Sequence, residues 1–111
     1  MITTAEMPLT RELHIIRAHH LYYLSLLDHY TKHVNFIKKT PNPAMHAYPE
    51  ADRKASEKLV NRECENLLNE IKRLVSELSM QEKRLKNVID LVSYISYHIL
   101  TLFLILVIGI Q

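Results

Sequence analysis

The sequence contains one long stretch with an uninterrupted helical repeat, residues 60–92, VNRECENLLNEIKRLVSELSMQEKRLKNVIDLV. Apolar side chains recur in it at alternating spacings of four and three residues, which places them along one side of an α-helix and is typical of coiled-coil-like helix pairs. We predict that a helix–helix seam is formed by Val60, Cys64, Leu67, Ile71, Leu74, Leu78, Gln81, Leu85, Val88 and Val92.

The N-terminal half of the chain repeats this spacing, with His20 as its one polar member. Its predicted seam consists of Leu9, Leu13, Ile16, His20, Tyr23, Leu27, Tyr30, Val34 and Ile37. Two such segments predict two long helices that pack side by side in antiparallel directions. Polar residues at isolated seam positions fix the register of a helix pair, and we assign that role to His20 and Gln81.

Prolines mark the predicted ends of the helices. Pro8 suits the first turn of the first helix, where its missing N–H costs nothing. Residues 40–43, TPNP, end that helix because a residue before proline is disfavoured in the α conformation. Pro49 can open the second helix, with Glu50 and Asp52 near its positive end. The predicted divisions are a first helix with a short N-terminal tail (1–40), a Pro-rich turn (41–49), a second helix (50–91) and a hydrophobic C-terminal segment (92–111).

The composition favours this organisation. With one Gly, four Pro and no Trp, the chain is poor in the turn glycines that sandwiches and α/β folds need. The formal net charge of +2 is too small to indicate nucleic-acid binding. The predicted fold class is all-α: a long antiparallel two-helix, coiled-coil-like hairpin followed by a C-terminal hydrophobic, candidate transmembrane helix.

The C-terminal segment has the composition of a membrane span. No side chain between Leu91 and Ile110 is charged, and a helix over these residues would be roughly 30 Å long, the thickness of a bilayer core. Its densest apolar part is residues 99–110, short enough for a buried core segment to remain an alternative. We expect membrane contact through residues 92–110, with Tyr94 and Tyr97 at the headgroup level.

The flanks of this segment predict its orientation. Lys83, Arg84 and Lys86 precede it, so the positive-inside rule places the N-terminal region in the cytosol and gives a single-pass membrane protein. The single cysteine, Cys64, fits a reducing compartment. The first twenty residues carry charges throughout and do not form a secretory signal.

Further apolar residues lie beside each seam and widen the apolar face beyond a two-stranded pair. They are Ile15, Leu21, Leu24, Leu26 and Phe36 in the first helix and Leu59, Leu68, Val75 and Ile89 in the second. We therefore expect self-association, or packing of partner helices, along the seams.

Catalysis and cofactor binding are not expected. The chain has one glycine, Gly109, and cannot build a phosphate-binding or nucleophile-elbow loop. Cys64 lies on the seam, where a thiol is usually inert packing. His29 and His33 are spaced one helical turn apart and are weak candidates for metal ligands, but no further ligands follow at a defined spacing. We predict no catalytic, cofactor or metal residues beyond these two candidates, and no cofactor.

Residues 39–45 (KTPNPAM) and 67–74 (LLNEIKRL) carry a resemblance to a known family. Together with residues 13–21 and 83–92, they resemble large fungal proteins with a CorA-like divalent-cation (Mg²⁺) transporter module. The resemblance covers roughly residues 9–92. It implies that this stretch is the helical hairpin of the cytosolic domain, just ahead of the long stalk helix.

The chain also departs from that family. Members continue into the rest of the stalk and two transmembrane helices with a Gly-Met-Asn signature, which this sequence does not contain. No pore-lining residue can be carried over. The resemblance therefore implies a non-catalytic helical fragment of a CorA-like transporter that is not transport-competent alone.

Two alternatives remain open. In one, the chain is a tail-anchored membrane protein whose coiled-coil hairpin mediates protein–protein association. In the other, residues 92–111 are a retained intron, because Val92-Ser93 can be encoded by the splice-donor sequence GTAAGT and Gln111 by the acceptor CAG.

Overall fold

The computed structural model describes residues 3–110 and, over that range, contains helices and no strand. Its elements are helix α1 (Thr3–Lys39), a short 3-10 helix (Pro43–Ala47) and helix α2 (Glu50–Ile110). α1 and α2 form a hairpin, and α2 is long and apolar. The predicted all-α class is confirmed.

The N-terminal boundary of α1 differs from the predicted one. α1 begins at Thr3, so Pro8 lies inside the helix and not in its first turn. Because a proline nitrogen carries no hydrogen, Pro8 cannot donate to the carbonyl of Thr4. The other end agrees with the prediction: α1 ends at Lys39, and the N–H of Thr40 donates to the carbonyl of Phe36 at 3.0 Å.

The turn between the helices has regular structure of its own. Asn42 caps the 3-10 helix, because its Oδ1 accepts a hydrogen bond from the N–H of Ala44 at 3.0 Å. Pro43 follows at the first position, where proline fits a helix start. The N–H of Tyr48 then donates to the carbonyl of Met45 at 3.1 Å. The Asn-Pro pair thus starts a short helical turn as well as helping to end α1.

α2 starts where the sequence predicts and continues further as one element. Its first turn carries Glu50 and Asp52, whose charge is favourable at the positive end of a helix. The N–H of Arg53 donates to the carbonyl of Pro49 at 3.0 Å. α2 then runs for 61 residues without a break, so the predicted division at residue 92 is not a helix end. The hydrophobic segment is the C-terminal part of α2.

The chain divides into two compact units. Unit 1 consists of Met1–Tyr22 with Ser79–Gln111, and unit 2 of Tyr23–Leu78. In unit 1, Nε of Arg17 donates to Oε1 of Glu82 at 2.6 Å and joins α1 to α2. In unit 2, Nζ of Lys38 donates to Oε1 of Glu65 and joins the same two helices.

The least exposed residues of each helix form a row with alternating spacings of three and four, here called the packed row. On α1 the packed row is Leu13, Arg17, His20, Leu24, Leu27, Thr31, Val34 and Lys38. On α2 it is Cys64, Leu68, Ile71, Val75, Leu78, Glu82, Leu85, Ile89 and Val92. Cys64 and Ile89 are the most buried hydrophobic residues described, at 5% and 7% exposure.

The predicted seams agree with these rows at every second position. Leu13, His20, Leu27 and Val34 are correct on α1, and Cys64, Ile71, Leu78, Leu85 and Val92 on α2. The intervening positions from Ile16 to Ile37 and from Leu67 to Val88 are wrong, because the hairpin packs the residue that follows each of them. Leu9 and Val60 lie before the packed rows begin. The displaced residues form a second pair of rows, here called the flanking rows. They are Leu9, Ile16, Tyr23, Tyr30 and Ile37 on α1, and Val60, Leu67, Leu74, Gln81, Val88 and Ile95 on α2; all but Leu74 are exposed.

Several polar members of the packed rows have ion-pair or hydrogen-bond partners. Arg17 pairs with Glu82 and Lys38 with Glu65, each across the two helices. Long basic side chains can cover apolar surface with their aliphatic stems while the charged end reaches a partner. The hydroxyl of Thr31 donates to the carbonyl of Leu27 at 3.0 Å.

Candidate functional site

The C-terminal part of α2 is the candidate membrane-spanning segment. Among the described residues, α2 is the one helix long and apolar enough to cross a membrane, and none of its most apolar 18-residue stretch is buried within the chain. Residues 102–110 are all exposed, including Phe103, Ile108 and Ile110. The described part of the chain therefore does not cover this stretch.

Two hydroxyls in this segment donate to backbone carbonyls of the same helix. Oγ of Ser96 donates to the carbonyl of Val92 at 2.8 Å, and Oγ1 of Thr101 donates to the carbonyl of Tyr97 at 2.9 Å. In apolar surroundings an unsatisfied polar hydrogen costs several kcal/mol, on the order of 2–7. Each of the two bonds reduces that cost within α2.

His98 also has a partner. Its Nε2 lies 3.0 Å from the hydroxyl oxygen of Tyr94, one turn earlier on α2, and the two ring centroids are 4.7 Å apart. The sequence alone placed His98 in no cluster. The i, i+4 spacing of Tyr94 and His98 is the sequence signal that could have predicted this pair.

Unit 2 has two cavities, and residues of both helices line each of them. On one side, a cavity of about 510 Å³ is lined by residues of both helices, with Asp28, Glu65 and Lys72 as its charged members. On the other side lie the flanking rows. Two of their members, Ile37 on α1 and Val60 on α2, line a second cavity of about 530 Å³ beside the turn. Both cavities combine apolar and charged side chains: Leu24, Leu68 and Val75 also line the first, and Arg53 and Glu57 also line the second.

The two weak metal candidates do not form a metal site with other residues. His29 and His33 are both exposed on α1. Asp28, their acidic neighbour, pairs with Lys32, with 3.1 Å between Oδ2 and Nζ. No group of three or more His, Cys, Asp or Glu side chains able to hold a metal ion occurs in the described part of the chain.

Three residues assigned to the predicted seams differ in their burial. Cys64 is buried and has a free thiol, as expected for inert packing. His20 lies in the packed row, and its buried Nδ1 has no hydrogen-bond partner within residues 3–110, so this atom makes no bond to a tyrosine of the other helix. Gln81 is exposed, and the adjacent Glu82 takes the place in the packed row.

Sequence reasoning missed Arg17 and Glu82 as interface residues because the predicted seams contain no charged side chain. The signal that reveals them is positional. Arg17 lies four residues after Leu13 and three before His20, and Glu82 lies four after Leu78 and three before Leu85.

An exposed charge cluster lies on α2 in unit 2. Arg73 contacts Glu70 one turn before it, and its Nη1 donates to Oε1 of Glu77 at 2.6 Å. The hydrogen bond from Arg73 holds the pKa of the Glu70 carboxyl below its ordinary value. The two carboxylates in turn raise the pKa of Arg73. Such pairs support the helix and do not form a reactive site.

No protein-family model matches the chain, and no curated protein or solved structure matches it either.

Proposed function

We propose that this chain is a non-catalytic, membrane-anchored helical protein whose hairpin associates with other helices at the membrane surface. The observation that supports the proposal best is the unbroken run of α2 from the hairpin into an apolar stretch that none of the described residues buries. A helix of this kind needs an apolar environment over its last twenty residues, and a bilayer supplies it.

The proposal includes a single span with the hairpin in the cytosol. Lys83, Arg84 and Lys86 precede the apolar segment, and basic residues next to a span are retained on the cytosolic side. Tyr94 and Tyr97 would then lie near the headgroups, where tyrosine rings are enriched.

Insertion is tested by fractionation of the full chain carrying an N-terminal tag. We expect it to float with vesicles and to resist alkaline extraction. Leu104→Arg places a charge near the centre of the span, at a cost of about 2.5–3.5 kcal/mol, and should release a large part of the chain. Leu59→Arg, at an exposed position of the hairpin, is the matched control and should still float. A wild-type chain that alkaline buffer extracts would contradict the proposal.

The proposed topology needs a separate measurement. In sealed vesicles with the cytosolic face outward, added protease should remove the N-terminal tag completely. Protection of the tag would contradict the cytosolic placement of the hairpin.

A second candidate function is that of the cytosolic hairpin of a CorA-like divalent-cation transporter, not transport-competent alone. The resemblance over residues 9–92 supports it, together with the continuous helix that leads from the hairpin towards the membrane. Vesicles containing this chain alone should show no Mg²⁺ flux above empty vesicles. The genomic sequence downstream of residue 111 should encode an in-frame stalk and a Gly-Met-Asn signature. Its absence there would remove this candidate and leave the membrane-anchored protein.

A further inference from the structure

The cavity beside the turn lies within unit 2 and is lined by basic groups from three elements. Its volume of about 530 Å³ is in the range that small-molecule sites occupy, about 300–1,000 Å³. Its lining includes Lys38 and Lys39 from the end of α1, His46 from the 3-10 helix and Arg53 from the start of α2. Among the described residues that line it, Glu57 is the one acidic side chain.

Two of these basic groups have no countercharge within the described part of the chain. Lys38 pairs with Glu65 across the hairpin, so its charge is balanced. Lys39 and Arg53 make no ion pair within residues 3–110, with Glu57 or with any other carboxylate. Two unpaired cations against one carboxylate leave the cavity net positive, and such a potential attracts anions.

Arg53 is the unpaired basic group that the protein covers most. Its side chain is partly buried, and its Nε is enclosed without a hydrogen-bond partner among the described residues. Its two terminal nitrogens are not enclosed and also bond to no described residue, so a ligand can reach them. A guanidinium partly removed from water is unfavourable without an acceptor, and its planar fork matches two oxygens of an anion.

A hydroxyl lies beside this guanidinium. Ser56 follows Arg53 by three residues, which places both side chains on one side of α2, and both line the cavity. Ser56 is partly buried, and its hydroxyl makes no hydrogen bond within residues 3–110. The cavity therefore offers a fork of two nitrogens, an ammonium group and a hydroxyl as donors that the described residues leave unused.

We propose that this cavity binds the phosphate group of a phosphomonoester through Arg53, Lys39 and Ser56. A phosphomonoester has three terminal oxygens and close to two negative charges at neutral pH, which suits two cations and a further donor. A carboxylate has two oxygens and one charge, and leaves part of this set without an acceptor. The site lies in the hairpin and does not depend on insertion of the apolar segment.

Titration of the full chain with glycerol 3-phosphate, followed by NMR in dodecyl maltoside micelles at constant ionic strength, tests the site. We expect saturable shifts of the amide signals of residues 53–57, with a Kd on the order of 1 mM. Arg53→Gln and Lys39→Gln should each weaken binding about tenfold or more, because each removes a charge-assisted hydrogen bond. Lys39 is exposed, so its variant keeps the test valid if Arg53→Gln disturbs the fold.

Lys54→Gln is the matched control. Lys54 is next to Arg53 on α2, but it pairs with Glu50, with 3.4 Å between Nζ and Oε1, and does not line the cavity. Its replacement should leave the Kd unchanged. Glu57→Gln should strengthen binding, because it removes the carboxylate that repels the phosphate.

Three outcomes overturn the inference: no shift at about 20 mM glycerol 3-phosphate, equal weakening by Lys54→Gln and Arg53→Gln, or acetate binding as tightly as glycerol 3-phosphate. Each of them leaves the membrane anchoring intact, because flotation measures that property separately. Phosphatidic acid added to the micelles identifies the source of the group. Displacement of glycerol 3-phosphate supports a phosphate site for a lipid headgroup, and retention supports one for a soluble phosphomonoester.

Discussion

Arg17 on α1 and Glu82 on α2 form an ion pair across the hairpin, with 2.6 Å between Nε and Oε1, and only 16% of the Glu82 side chain is exposed. The carboxylate is thus largely removed from water at a point where the two helices pack. A charge in such a position depends on its partner, because removal of the partner leaves it poorly solvated.

Replacing Arg17 by Ala should therefore destabilise the chain by about 1–2 kcal/mol. Urea unfolding followed by circular dichroism measures the change. The matched control is Arg73→Ala, which breaks exposed pairs within α2 and should change the free energy of unfolding much less than Arg17→Ala does. Equal effects of the two substitutions would show that the Arg17 pair contributes no more than a surface pair.

Ile89 should be the most sensitive apolar position in unit 1. It is 7% exposed, and truncation of a buried isoleucine to alanine costs about 2–5 kcal/mol. We expect the lower end of this range, because a two-helix unit can close part of the cavity. Ile15→Ala, at a residue that is 46% exposed, is the control and should cost less than about 1 kcal/mol. A larger loss for Ile15→Ala than for Ile89→Ala would contradict the packed row.

The Glu70 carboxyl should titrate at a lower pH than an unpaired glutamate, because Arg73 stabilises its charged form. A depressed pKa in the folded state contributes stability above the unfolded pKa of about 4.3, and this contribution is lost as the pH falls through the folded pKa. NMR titration should show the pKa of Glu70 returning to its ordinary value in Arg73→Ala. A pKa of Glu70 that is the same in both chains would mean that the hydrogen bond does not persist in solution.

Cys64 should react slowly with a maleimide while the hairpin is folded. Its side chain is buried, so labelling requires local opening, and we expect a rate on the order of a hundredfold below that of an exposed thiol. The comparison chain is Thr40→Cys in a Cys64→Ala background, at an exposed position before the turn. In denaturant the two rates should converge. Equal rates in the folded chains would place Cys64 outside the packed row.

The helical class and the main boundaries followed from the sequence because they depend on local rules. The TPNP turn after Lys39 and the acidic start of α2 at Glu50 each act within a few residues. Which of two neighbouring rows packs between the helices does not depend on such local rules. Tyr23 and Leu24 both continue a spacing of three and four on α1, and the more hydrophobic row was predicted to pack. The structure packs the row that also contains Arg17 and Lys38, whose charged ends reach Glu82 and Glu65.

The packed row differs from the predicted one for a physical reason that the sequence of a single helix does not show. Long charged side chains can cover apolar surface with their stems when a countercharge stands on the facing helix, and that partner is more than sixty residues away for Arg17. For the candidate membrane-spanning segment, too, the sequence predicted only part of what the structure shows. The apolar character of residues 91–110 was evident from composition, but the unbroken passage of α2 into them was not, because no cap or glycine at residue 92 distinguishes a helix that ends from one that continues.

Because α2 is one helix through residue 92, the direction in which Ile89 of the packed row points about the helix axis fixes the direction in which each side of the apolar segment points. Each residue turns an α-helix by about 100°, so one residue inserted after Asp90 would rotate the segment by that angle relative to Ile89, while seven would return it to within about 20°. A flexible tether would lose this torsional relationship within a few bonds. Ile89 and the apolar segment instead turn together as parts of one helix, so a neighbouring helix would meet the same side of the segment for a given orientation of Ile89.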